Sequence, residues 1–110
     1  MNKTLSYDDV LLVPQYSDIK SRSEVSLQTD LGNGLVLSAP IFSSPMDTIS
    51  DAPMAIAMGK FGGAAIIHRY NTVQEQTKLI TQARDLAGPI NVGAAVGISD
   101  DFLLRAKMCA

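Results

Sequence analysis

The chain has 110 residues, of which 46% are apolar and 18% are charged, and its formal net charge is −2. This balance is typical of a globular domain and excludes a disordered composition. The charges form no basic stripe that could neutralise phosphates, so we expect no nucleic-acid partner. The apolar runs are shorter than a membrane span, so we expect no membrane attachment.

The cysteine and histidine content limits the chemistry of the chain. One cysteine, Cys109, and one histidine, His68, cannot form a disulfide framework or a zinc site by themselves, and we expect no metal. Lys3 is not followed by an apolar stretch, so the first residues do not resemble a signal peptide. A lone thiol without an export signal favours a cytoplasmic protein.

The first third of the chain predicts two short elements. Ser6 is placed to cap a short turn, and the apolar run that follows it ends at Pro14. Residues 24–37 alternate around Gly32-Asn33-Gly34, a sequence that tolerates positive φ. We therefore predict a β-hairpin over residues 24–37.

Three strand–helix units follow. The first has a strand at residues 41–44, a cap at Ser50 or Asp51, and a helix that Gly62-Gly63 ends. The second has an apolar strand at 64–67, a capping box formed by Thr72 and Glu75, and a stop at Gly88-Pro89. The third has a strand at 90–96, a cap at Ser99 or Asp100, and a final helix. Helical spacing predicts three buried stripes: Met54, Ala57, Met58 and Phe61; Leu79, Ile80, Ala83, Leu86 and Ala87; and Phe102, Leu103, Ala106 and Ala110.

Strands that alternate with helices predict a parallel sheet, either open and doubly wound or closed into a barrel. An open sheet usually carries a glycine-rich phosphate loop after its first strand. Residues 43–47 read SSPMD instead and contain no GxGxxG motif. Polar or small residues follow all three strands, which favours a barrel, although periodicity alone leaves both folds open.

Six strings of the sequence resemble the IMP dehydrogenase/GMP reductase family, in the order and spacing of that family. They are LSYDDVLLVP (5–14), SSPMDT (43–48), MAIAM (54–58), GGAAIIH (62–68), NTVQEQ (71–76) and VGAAV (92–96). The resemblance implies that residues 1–110 are the N-terminal part of one (β/α)8 TIM barrel. The chain would supply an N-terminal hairpin and the first three strand–helix units of that barrel.

The resemblance also implies a function. The family binds a purine 5′-monophosphate and NAD (or NADP) at the carboxyl ends of the strands, and a cysteine on a later loop attacks C2 of the purine. We expect that cysteine beyond this segment, no catalytic residue within it, and no activity of the segment alone. Cys109 lies in the third predicted helix, so we interpret it as structural. The resemblance further implies a homotetramer.

Two residues match positions at the family's nucleotide site, and two more are candidates for binding the cofactor. Ser44 and Met46 match substrate-binding positions, where a hydroxyl can bond phosphate or ribose and a thioether can lie on a purine. The alternative is a serine that ends a strand and a methionine that fills the core. His68 and Arg69 are the predicted cofactor-binding residues. The alternatives are a hydrogen-bonded histidine at the barrel rim, rather than a general acid–base, and a solvated arginine.

Dehydrogenase and reductase are separated by small features. GMP reductases tend to have a lysine between two histidines, where this chain has His68-Arg69-Tyr70. Arginine stays charged where a proton must move, which argues against reductase chemistry. Gly88-Pro89 leads straight into the third strand without a regulatory insert, which is usual in reductases and found in some dehydrogenases. We favour IMP dehydrogenase; the alternatives are GMP reductase, a non-catalytic nucleotide-binding remnant, or half of a split barrel.

Overall fold

The computed structural model describes residues 3–98 and 101–110. The strands are β1 (Thr29–Asp30), β2 (Val36–Leu37), β3 (Phe42–Ser43), β4 (Ala64–Ile67) and β5 (Val92–Ala94), and the helices are α1 (Ala52–Phe61), α2 (Val73–Ala87) and α3 (Phe102–Cys109). Strands β3, β4 and β5 form a parallel sheet in that order, and a helix follows each of them. The three predicted strand–helix units are therefore confirmed.

The caps of the first two helices follow the sequence closely. Of the two candidates for α1, Asp51 is the cap, and its Oδ1 accepts a hydrogen bond from the Met54 amide at 3.3 Å. Gly62, with φ of 93°, ends α1 in the left-handed region that favours glycine. The candidate caps of α3, Ser99 and Asp100, lie outside the described residues.

The capping box of α2 is confirmed. The Glu75 amide donates to Thr72 Oγ1 at 3.2 Å, and the Thr72 amide donates to Glu75 Oε2 at 2.8 Å. The bond from the Thr72 amide, followed by that from its hydroxyl, lowers the pKa of the Glu75 carboxyl below its ordinary value. The box fixes the first turn of α2 directly after the loop that follows β4.

The N-terminal elements are shorter than predicted. Ser6 does begin a turn, the 3₁₀ helix Tyr7–Asp9, and the Ser6 amide donates to Asp9 Oδ2 at 2.8 Å. The hairpin spans two residue pairs, Thr29 with Leu37 and Asp30 with Val36, rather than residues 24–37. Residues 22–24 form a second 3₁₀ helix instead. The longer hairpin is wrong: Val25 and Leu27, which its apolar face would have buried, are 47% and 63% exposed.

The hairpin lies at the amino ends of the parallel strands. Asn91, just before β5, donates from its side chain to the Val36 carbonyl at 3.2 Å. The Ala39 amide donates to the Gly62 carbonyl, just before β4, at 3.0 Å. These contacts leave the opposite edge of the sheet, where the strands end, to the strand–helix loops.

The core lies between the sheet and the first two helices, and its buried members are Ala52, Ala55, Ala65, Ile67, Ile80 and Ala83. The predicted stripe of α1 is wrong at Ala57 and at Phe61, which is 63% exposed. Nine of the ten residues of APMAIAMGKF are not charged, so the pattern does not select one face. In α2 the prediction holds for Ile80 and Ala83 and is wrong for Leu86, which is exposed.

The predicted stripe of α3 is wrong throughout. Its four apolar members are exposed, and the buried residue of that helix is Arg105. Apolar spacing could not anticipate this, because polar acceptors on neighbouring elements bury the arginine.

The second face of the sheet is not covered by helices. On that face Phe42 is 45% exposed and Ile66 is half-buried. The alternate residues Ser43, Ala65 and Ile67 are buried on the opposite face, toward the helices. The chain exposes 8652 Å². A folded monomer of this mass exposes about 5,900 Å², and residues 3–28, all of which are exposed, account for part of the excess.

Candidate functional site

The carboxyl ends of the three parallel strands meet at one edge of the sheet. Ser43 is in register with Ala65, and Ile67 with Ala94, so the loops after β3, β4 and β5 leave the sheet side by side. This edge is where parallel α/β folds place their ligands, because each loop can bring a side chain to a common point.

The loop after β3 is held by serines. Ser43 Oγ lies 2.7 Å from Ser50 Oγ, and both side chains are buried. Ser50 Oγ also donates to the Ser44 carbonyl, and the Met46 amide donates to the same carbonyl at 2.8 Å. These bonds fix the backbone of the loop while Ser44 and Met46 stay exposed, Met46 by 47%. The Met46 side chain is not part of the core that α1 and α2 form with the sheet.

His68 follows β4 directly and is 8% exposed. Its Nδ1 has no hydrogen-bond partner within residues 3–98 and 101–110. The ring stacks on Tyr70 with centroids 6.5 Å apart and an interplanar angle of 22°. Both residues line a cavity of about 450 Å³. Asn71 and several residues of α2, among them Lys78, form the rest of its wall.

Arg69 is exposed and reaches the loop after β5. A Cβ atom at Gly97 would lie 2.8 Å from Arg69 Nη1, so glycine at this position leaves room for the guanidinium. The cation of one strand-end loop thus lies against the backbone of the next. Among the described residues, no hydrogen bond joins Ser44 or Met46 to His68 or Arg69.

Gln76 was not anticipated from the sequence, although it lies under this edge. It is fully buried, and its Nε2 donates to the Ile67 carbonyl at 3.1 Å and to the Ala95 carbonyl at 3.0 Å. One side chain from α2 therefore ties together the carboxyl ends of β4 and β5. Its position, three residues after Val73 and four before Ile80, was the available signal, because it completes their stripe.

Arg105 was missed as well. Its Nη1 donates to Gln76 Oε1 at 2.9 Å and to Asn71 Oδ1 at 3.2 Å, and its Nη2 donates to the Asn71 carbonyl at 3.0 Å. Asp101 pairs with it at 2.8 Å, and this hydrogen bond lowers the pKa of the Asp101 carboxyl. The acid–base spacing of Asp101 and Arg105 was visible in the sequence, but it is equally typical of an exposed helix pair.

The remaining candidates lie away from the strand ends. Cys109 packs against the core, and its sulfur is 3.7 Å from both Thr77 Oγ1 and Gln76 Oε1. A larger cavity, about 820 Å³, lies on the outside between α2 and α3 beside Met108 and touches none of the four predicted site residues.

In the described part of the chain, His, Cys, Asp and Glu form no cluster of metal-binding size. No described helix has the length and apolar character that a bilayer span requires.

A parallel sheet of strand–helix units, with its polar loops gathered at the carboxyl edge, defines an α/β protein whose candidate ligand site is that edge. The sequence model described as "IMP dehydrogenase / GMP reductase domain" matches residues 4–110. The chain therefore belongs to the IMP dehydrogenase/GMP reductase family, as its strings of residues predicted.

Individual relatives agree with this membership. The chain is 42% identical over 97 residues to an inosine-5′-monophosphate dehydrogenase of Nitrosopumilus maritimus, covering 88% of this chain and 20% of that protein. It is 43% identical over 91 residues to inosine-5′-monophosphate dehydrogenase 1 of Arabidopsis thaliana, covering 83% and 18%. It is 39% identical over 80 residues to a GMP reductase of Leishmania donovani, covering 73% and 16%. The chain thus spans about a fifth of the length of these relatives, whose names describe oxidoreductases acting on purine monophosphates.

Proposed function

We propose that this chain forms the first part of a (β/α)8 barrel that oxidises inosine 5′-monophosphate to xanthosine 5′-monophosphate with NAD and water. The observation that carries the proposal is the shared edge of β3, β4 and β5, where Ser44, Met46, His68 and Arg69 sit on adjacent loops. The family membership supplies the substrate class, and the edge supplies the place where such a substrate would bind.

The uncovered face of the sheet supports the barrel. Phe42 and Ile66 project from the face that has no helix, while α1 and α2 cover the other. In a closed barrel such residues fill the interior, and the edges of β3 and β5 pair with further strands.

The residues of the edge fit their proposed ligands. The Ser44 hydroxyl, on a backbone fixed by Ser50, would bond the phosphate or ribose of the nucleotide, and the exposed Met46 thioether would lie on the purine. Arg69, in the space that Gly97 leaves, would bind a phosphate of the nicotinamide cofactor, with His68 beside it. The cofactor, when bound, accepts the hydride. Cys109 would take no part, since it packs against the core.

GMP reductase is the second candidate, because α2 ends at Ala87 and β5 begins at Val92 without an insert. Arg69 weighs against it, because a guanidinium does not exchange its proton at neutral pH. Both activities would belong to a homotetramer, as the family resemblance implies, and the lone thiol without an export signal favours a cytoplasmic protein.

The test uses the natural-length protein and absorbance at 340 nm. We expect NADH to appear with IMP and NAD, and no loss of NADPH with GMP. Loss of NADPH with GMP, without formation of NADH from IMP and NAD, would establish the reductase. Failure of both reactions, with tight binding of IMP, would instead establish a non-catalytic nucleotide-binding protein.

A further inference from the structure

Arg105 is a buried cation on a helix whose other described positions are mostly exposed. Arg105 is 6% exposed. Its guanidinium donates hydrogen bonds to groups on three separate parts of the chain. Those groups are Asp101 before α3, Gln76 in α2, and both the side chain and the carbonyl of Asn71 in the loop after β4. A charge is rarely buried unless it is paired and fully hydrogen-bonded, and this one is.

Two separate routes of hydrogen bonds connect Arg105 with the candidate site. The first leads through Gln76, whose amide nitrogen donates to the last carbonyl of β4, that of Ile67, and to the carbonyl of Ala95, directly after β5. The second leads through Asn71, which closes the loop that begins at His68. Both ends of that loop are therefore tied to one guanidinium, at Ile67 through Gln76 and directly at Asn71.

We propose that Arg105 is a positioning residue, whose guanidinium holds the loop of residues 68–71 in one conformation at the carboxyl edge. The loop carries Arg69, so the consequence for activity rests on the proposed function. A lysine could keep the charge but has no planar fork, and it could not reach Gln76, Asn71 and Asp101 together. No contact of Arg105 with a ligand is implied.

Hydrogen–deuterium exchange on the natural-length protein tests the structural half. Arg105→Lys should raise the exchange rate of peptides covering residues 67–71 and 95–98 by about tenfold, from the loss of charged hydrogen bonds. Exchange in α1 should not change. Arg84→Lys is the matched control, because Arg84 is exposed on α2, and it should alter neither region. A uniform rise that includes α1, or no rise in the two loops, would overturn the proposal.

A second variant keeps the test decisive if Arg105→Lys does not fold. Arg105→Met removes every hydrogen bond of the guanidinium and leaves no unpaired charge in the interior, because the Asp101 side chain is 45% exposed. It should loosen the same two loops and leave α1 unchanged, and unchanged exchange in those loops would refute the role of Arg105.

Kinetics test the functional half. The variant that folds should raise KM for the nicotinamide cofactor by about tenfold with kcat little changed, the signature of lost binding rather than lost chemistry. An unchanged KM in a protein whose loop has loosened would overturn the positioning role. If the unaltered protein turns over neither IMP nor GMP, the proposed function fails, while the exchange experiment still decides whether Arg105 holds the loop.

Discussion

Replacement of Gly59 by alanine sets two effects of opposite sign against each other. Gly59 lies inside α1, where alanine favours the helix by about 1 kcal/mol over glycine. The new methyl group, however, would overlap Ile90 Cγ2 and would lie 2.5 Å from Ile90 Cβ. Ile90 is branched at Cβ and precedes β5, so it cannot turn away without moving the start of that strand.

We expect the steric effect to win. Overpacking a filled site costs about 1–3 kcal/mol, and both contacts are shorter than carbon atoms tolerate. The net change from Gly59→Ala should be a loss of roughly 0–2 kcal/mol in the free energy of unfolding, with about 1 kcal/mol as the central value. Urea unfolding monitored by circular dichroism measures this difference.

Two controls isolate the cause. Ala57→Gly, at an exposed position of the same helix, measures the propensity term alone and should cost about 1 kcal/mol. Ile90→Ala removes the nearer Cγ2 atom, so the loss from Gly59→Ala should shrink in that background. The reasoning is refuted if Gly59→Ala stabilises the protein while Ala57→Gly destabilises it, because helix propensity would then outweigh the contact with Ile90.

Three further predictions concern α2 and the edge of the sheet. Thr72→Ala should cost about 1 kcal/mol in urea unfolding at pH 7. The pKa of the Glu75 carboxyl is lowered in the folded state, so its bonds with Thr72 stabilise the fold at neutral pH and stop doing so as the pH falls below about 4. An equal cost of Thr72→Ala at pH 7 and pH 3 would contradict the capping box. Gln76→Leu leaves two carbonyls without a hydrogen-bond donor and should lower the free energy of unfolding by about 3 kcal/mol. Gln82→Leu, at an exposed position of α2, should change the unfolding midpoint little. Arg69→Ala should raise the KM for NAD about tenfold at constant kcat, and a KM within twofold of the unaltered protein would remove Arg69 from the site.

Local signals in the sequence predicted local structure well. The capping box of Thr72 and Glu75, the Asp51 cap and the glycine at the end of α1 each depend on neighbours within four residues. The order of strands and helices followed from apolar periodicity. The family resemblance rested on the order of short strings and was confirmed by the match over residues 4–110.

Features set by tertiary contacts were not predictable in the same way. An apolar stripe gives the buried face only when polar residues mark the other faces, and α1 has almost none. Burial of Arg105 depends on acceptors 29 and 34 residues away in the sequence, Gln76 and Asn71. The unpartnered Nδ1 of His68 likewise depends on what surrounds the end of β4. For the candidate site, the sequence predicted the loops but not the two polar side chains that tie them together.

The central claim is that purine nucleotide binds at the edge where β3, β4 and β5 end. NMR of methionine methyl groups in the natural-length protein tests it most directly, with signals assigned by single Met→Leu variants. On titration with IMP, we predict a shift of the Met46 signal, because its exposed side chain lies on the loop after β3, and no shift of Met58 or Met108. A shift of Met108 without one of Met46 would place the ligand on the outer groove between α2 and α3 and contradict the account.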